Sequence, residues 1–137
     1  MLARGIHHLG VAVLDLDDAL ATYERLFGAE LEHRASVAEQ GVEAAAVLVG
    51  DGRVELLAPL GEASPIAAFL ERNPLGGQHH LAFEVPDIAR ARAEFEGMGK
   101  RVLGPTRIGA HGTPVFFVHP KDMGGMLVEI METPKAA

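Results

Sequence analysis

Apolar and polar positions alternate with a period of two over residues 6–13, and this is the signature of a half-buried strand. Leu9, Val11 and Val13 fall on one face, and His8, Gly10 and Ala12 fall on the other. Asp15 then offers a cap to a helix over about 16–27, with Ala19, Tyr23 and Leu26 at helical spacing and Gly28 as the stop. Strand-like runs follow at about 30–37, 42–49 and 53–58. Ser64-Pro65 opens a short helix through Glu71, with serine as cap and proline in its first turn. Asn73-Pro74-Leu75-Gly76-Gly77 reads as a flexible link.

The pattern then begins again. Gln78-His79-His80-Leu81-Ala82-Phe83-Glu84-Val85 repeats the first strand, with Leu81, Phe83 and Val85 on one face and His80 and Ala82 on the other. Asp87 heads a helix over about 88–98 that presents Ile88, Ala91, Phe95 and Met98 and stops at Gly99. Strand-like runs at about 101–103, 113–118 and 126–131 complete the second half. His80 stands 72 positions after His8, and the same offset pairs Val13 with Val85, Asp15 with Asp87, Ala19 with Ala91 and Tyr23 with Phe95. Val54-Glu55-Leu56 matches Val128-Glu129-Ile130 at an offset of 74, which a small loop difference accommodates. The chain is thus an α+β protein of two tandem βαβββ modules. The expected organisation is a single domain over 1–137, with repeats at about 5–60 and 78–132 joined by a helix and linker at about 64–77.

Composition narrows the chemistry. At 137 residues, with 48% hydrophobic and 23% charged residues, the chain has the size and balance of one globular domain. There is no cysteine, so any metal must be held by histidine and carboxylate. A net charge of −7 argues against a general nucleic-acid binder. No apolar run reaches the length of roughly 20 residues that spans a bilayer, and the N-terminus lacks a signal pattern, so neither nucleic acid nor membrane is an expected partner and the location is expected to be cytoplasmic.

The repeat singles out four side chains. His8 and His80 lie on the strand faces where small residues leave room, whereas His7 and His79 fall on the apolar side or near the strand starts. Glu55 and Glu129 each interrupt an otherwise apolar strand, where an ionised carboxylate is costly unless paired or metal-bound. An approximate two-fold between the halves would bring His8 with Glu55 and His80 with Glu129 together. Two imidazoles and two carboxylates suit Co, Ni, Mn, Fe or Zn better than Ca. For Glu55, a solvent-facing edge strand is the competing explanation.

In order along the chain, Glu55-Leu56-Leu57-Ala58-Pro59-Leu60, Ser64-Pro65-Ile66, His79-His80, Gly109-Ala110-His111-Gly112, His119-Pro120-Lys121-Asp122 and Gly124-Gly125-Met126-Leu127-Val128-Glu129 form a recognisable series. With Glu39-Gln40-Gly41-Val42 they resemble the vicinal oxygen chelate (glyoxalase-like) superfamily, and within it the methylmalonyl-CoA epimerase family. The resemblance implies an open cup-shaped sheet around one divalent metal, Co²⁺ foremost, ligated by His8, Glu55, His80 and Glu129. It implies an isomerase that interconverts (2S)- and (2R)-methylmalonyl-CoA by 1,1-proton transfer through an enolate. Glu129 is then one acid/base candidate and Glu43 the other, although a gap-free match places Ala44 at the second position. Lys121 and Arg107 are candidate cations for the acyl-CoA substrate, with a solvated surface role as the plain alternative. A homodimer is implied as well. The competing readings are a lactoylglutathione lyase and a non-catalytic, bleomycin-resistance-type binding protein.

Overall fold

A computed structural model describes residues 1–134. It divides into two compact units, one of residues 8–79 and one of residues 1–7 with the chain from His80 onward.

The elements of the first unit are β1 (Gly5–Ala12), α1 (Leu16–Phe27), β2 (Glu30–Val37), β3 (Val42–Val49), β4 (Gly52–Pro59) and α2 (Pro65–Arg72). Asp15 Oδ1 accepts from the Asp18 N–H at 2.9 Å and starts α1, and Gly28, at φ +65°, ends it in the left-handed conformation. The sheet order is β2-β3-β4-β1. Leu9–Ala12 pair in parallel with Val54–Leu57, and β3 runs antiparallel to both β2 and β4. Leu16 and Leu20 of α1 pack on Ala45, Val47, Leu56 and Ala58, so one sheet face is the core and the other is left for chemistry.

The second unit repeats the order with β5 (Gly77–Val85), α3 (Ile88–Gly97), β6 (Val102–Ile108), β7 (Pro114–Val118) and β8 (Val128–Glu132). Its sheet order is β5-β8-β7-β6, with β5 parallel to β8 and the other pairs antiparallel. Ile88 and Ala91 of α3 bury against Phe116, Val118, Val128 and Ile130. Each unit is therefore βαβββ, with its first and last strands paired in parallel.

Two expectations are revised. The sixth strand extends to Ile108, well past the run at 101–103, although it contains Gly104 and Pro105. It is the outer strand of its unit, where a missing N–H costs no ladder bond, and its register shifts between Leu103 and Arg107. The link at 73–77 is a closed turn, with the Gly76 N–H donating to Asn73 O at 2.8 Å. Gly76 sits at φ +81°, and a Cβ there would stand 2.3 Å from Ala12 O, so only glycine admits this approach. Among the described residues, no helix is long and apolar enough to cross a membrane.

Candidate active site

In the first unit, the register opposes Gly10 of β1 and Ala46 of β3 to Glu55 of β4. Neither neighbour extends beyond a methyl group, so the Glu55 carboxylate has room on the face it shares with His8. His8 Nε2 lies 3.6 Å from Glu55 Oε1. β4 is interior, flanked by β3 and β1, and Glu55 is only 5% exposed, which removes the edge-strand explanation for its charge.

The second unit builds the same pair. Ala82 of β5 and Phe117 of β7 oppose Glu129 of β8, and Ala82 is the repeat counterpart of Gly10. His80 Nε2 lies 3.1 Å from Glu129 Oε1. The His80 ring meets Phe117 edge-on, with centroids 5.8 Å apart. Alternation along β7 could have found Phe117: Phe116 and Val118 bury under α3, which turns Phe117 toward Glu129. All four donor residues are buried.

The neighbouring histidines make ring contacts of their own. His7 meets His111 edge-on at 4.7 Å, and His79 meets Phe69 at 5.1 Å. His111 belongs to the Gly109–Gly112 turn, closed by the Gly112 N–H on Gly109 O at 3.0 Å. A Cβ on Gly109 would stand 3.0 Å from Val115 Cγ1 and 3.7 Å from Glu129 Oε2. The glycine therefore lets this turn lie against the Glu129 face, a contact that no local sequence pattern discloses.

The cationic candidates are exposed. Arg107 is opposite Val115 and so shares the Glu129 face of its sheet. Lys121 lies in the helical turn Pro120–Asp122, and its backbone N–H donates to His119 Nδ1 at 3.0 Å. Next to it, Asp122 accepts from the Arg101 N–H at 2.8 Å and from Arg101 Nε at 3.0 Å. These bonds lower the Asp122 carboxyl from its usual 3.8 to about 2. Because the folded value lies below the unfolded one, this contribution to stability is complete above pH 3.8 and is lost as pH falls toward about 2. Melting temperature measured across that interval is expected to fall less steeply in Asp122→Asn than in the parent protein.

Glu43 lies elsewhere than Glu55. On β3 it opposes Ser36 and Ala58, which puts it on the α1 side of the sheet, while Ala44 faces the Glu55 side. Glu43 Oε1 accepts from Arg34 Nε at 2.9 Å and Nη2 at 2.5 Å, and Arg34 Nη1 also reaches Asp17 Oδ1 at 2.8 Å. The hydrogen bonds from Asp17, the largest single cause, and from Glu43 raise the Arg34 guanidinium above its usual value.

Residues 7–117 match the family described as Glyoxalase/Bleomycin resistance protein/Dioxygenase superfamily. The chain is 47% identical over 132 residues to the ethylmalonyl-CoA/methylmalonyl-CoA epimerase of Cereibacter sphaeroides, covering 95% of this chain and 98% of that protein. The chain belongs to the methylmalonyl-CoA epimerase family. Another member of this epimerase family, the human mitochondrial methylmalonyl-CoA epimerase, is 44% identical over 91% of this chain and 72% of its own length. Among solved structures, the Streptomyces coelicolor methylmalonyl-CoA epimerase in complex with 2-nitronate-propionyl-CoA superposes with a TM-score of 0.93 at 33% identity, covering 98% of this chain and 100% of that one. The Mycobacterium tuberculosis epimerase gives 0.91 at 35% identity, covering 98% and 91%. The fold expected from the sequence is that of this family, and membership makes the protein an isomerase.

Proposed function

We propose that this protein interconverts the two epimers of methylmalonyl-CoA, using one divalent cation held by His8, Glu55, His80 and Glu129. The observation that carries the reading is the matched pair: each unit buries one imidazole and one carboxylate at equivalent register positions. The donor set fits a borderline divalent ion, and Co²⁺ is the proposed one. Buried carboxylates of this kind are costly without a compensating charge, and a cation supplies it. On this reading the chain acts as one domain of two repeats, at about 5–60 and 78–132.

The bound cation would contribute stabilisation of the negative charge that develops on the thioester oxygen. The protein does the rest. The α-proton, flanked by a thioester and a carboxylate, passes to a carboxylate of the site, and its C–H electron pair moves into the thioester to form an enolate. A second acid returns a proton to the opposite side of the planar carbon. Glu129 takes one of these roles, worth about 10²–10⁴-fold. Arg107, on the Glu129 face, and Lys121 are proposed to meet the anionic parts of the acyl-CoA, a local supply of positive charge on an acidic protein. The reading extends to a cytoplasmic homodimer. Exposed apolar side chains such as Leu26, Phe27 and Leu31 offer surface for the dimer.

The test uses purified protein, Co²⁺ and one epimer of methylmalonyl-CoA in D₂O. Deuterium is expected at the α-carbon together with the other epimer, and both signals should vanish on chelation. Turnover of a glutathione hemithioacetal alone would instead establish a lyase.

A further inference from the structure

We propose that Arg53 receives the free carboxylate of the substrate and so selects malonyl-type thioesters over simple acyl thioesters; this rests on the epimerase reading above. The four strands β1 to β4 carry two arginines and no lysine. Arg34 opposes Ala45 and lies on the α1 side of the sheet, where it holds Glu43 and Asp17. Arg53 opposes Leu48, and alternation along β4 puts it on the same face as Glu55, two residues on. Two steps along a strand span roughly 6–7 Å.

The repeat shows that the fold does not require a cation at this position. Val54-Glu55-Leu56 corresponds to Val128-Glu129-Ile130, and at the same offset of 74 Arg53 corresponds to Leu127. The second unit thus builds its own imidazole and carboxylate pair with an apolar residue here. Arg53 is also held in place. Glu32 sits in the bulge of β2 between Leu31 and His33, an irregularity of the kind that re-aims a side chain. Its carboxylate takes Arg53 Nε at 2.7 Å and Nη2 at 3.0 Å, the two-point geometry that fixes a guanidinium plane. The Arg53 side chain is 26% exposed, so its charge is reachable without being fully hydrated.

An ion pair in contact with water adds little stability, so the fold gains little from placing one on this face. A pre-set guanidinium does add recognition, because it stays charged at every working pH and matches a carboxylate in shape. Arg34 shows within this chain that one guanidinium accommodates two carboxylates at once. In the same way Arg53 takes the substrate carboxylate while Glu32 holds it in position. That carboxylate is the group by which a malonyl thioester differs from an ordinary acyl-CoA.

The experiment compares thioesters with and without the carboxylate on the Co²⁺-loaded protein. In Arg53→Gln, the KM for methylmalonyl-CoA and the calorimetric Kd for malonyl-CoA are expected to rise about 10- to 100-fold, the usual loss when a charged hydrogen bond to a ligand is removed. Metal content, and the Kd for propionyl-CoA, which lacks the carboxylate, should stay at the parent values. Arg53→Lys keeps the charge and should recover part of the malonyl-CoA affinity. Glu32→Gln keeps the guanidinium and should raise KM several-fold less than Arg53→Gln does. A merely structural ion pair predicts equal losses in Glu32→Gln and Arg53→Gln, and equal weakening of malonyl-CoA and propionyl-CoA. Either result overturns the proposal, as does a malonyl-CoA affinity unchanged in Arg53→Gln or no better in Arg53→Lys than in Arg53→Gln. A parent protein that binds malonyl-CoA in preference to propionyl-CoA, loses that preference in Arg53→Gln, and yet does not epimerise would sink the epimerase reading alone.

Discussion

His80→Ala is expected to lose bound metal on dialysis and to epimerise at least about 10³-fold more slowly than the parent protein. That factor corresponds to the several kcal/mol of charge stabilisation that a bound cation typically supplies to a developing oxyanion. His80 is 3% exposed, its Nε2 is 3.1 Å from Glu129 Oε1, and its ring rests on Phe117. Alanine removes the imidazole donor and leaves the Glu129 carboxylate buried beside a void. The adjacent His79 is the control, since its ring meets Phe69 and it is outside the donor set. His79→Ala should retain metal by elemental analysis and turn over at a rate close to the parent. Equal metal content and equal turnover in the His80 and His79 variants would defeat the assignment.

Phe116→Ala carries the largest expected effect on stability. Phe116 is 1% exposed at the centre of the second unit's core, meets Phe95 edge-on at 5.7 Å, and lies 5.8 Å beneath the Arg92 guanidinium. Emptying such a position costs about 3–5 kcal/mol, from lost transfer free energy and the cavity left behind. For a chain of this size the melting temperature should drop by roughly 10–15 °C, followed by circular dichroism. Met98→Ala, at a side chain 76% exposed, should stay within about 0.5 kcal/mol of the parent. A similar melting temperature for the two variants would show that α3 is not seated on β7 and β8 as described.

The site was legible to the extent that it depends on local alternation. A strand turns successive side chains to opposite faces, so reading residues 6–13 and 78–85 was enough to separate His8 from His7 and His80 from His79. The same rule, with the interruption of apolar runs by a carboxylate, marked Glu55 and Glu129. Glu43 marks the limit of that rule: the resemblance leaves Ala44 and Glu43 one position apart, one step along a strand reverses the face, and Glu43 lies on the α1 side. The extension of β6 across Gly104-Pro105 is not legible from local propensity, which reads both residues as breakers, while an outer strand tolerates them.

By itself the sequence determined the repeat, the three helices and their N-caps, the faces of the histidines and the family. These depend on periodicity and on short-range hydrogen bonds between residues a few positions apart. Only the tertiary structure decided that Glu55 lies on an interior strand between Gly10 and Ala46, that Arg34 holds Glu43 on the α1 side, and that Gly109 brings its turn against Glu129. Each of those facts joins strands or loops distant in sequence. Strand register and backbone approach set them, and neither leaves a local pattern in the chain.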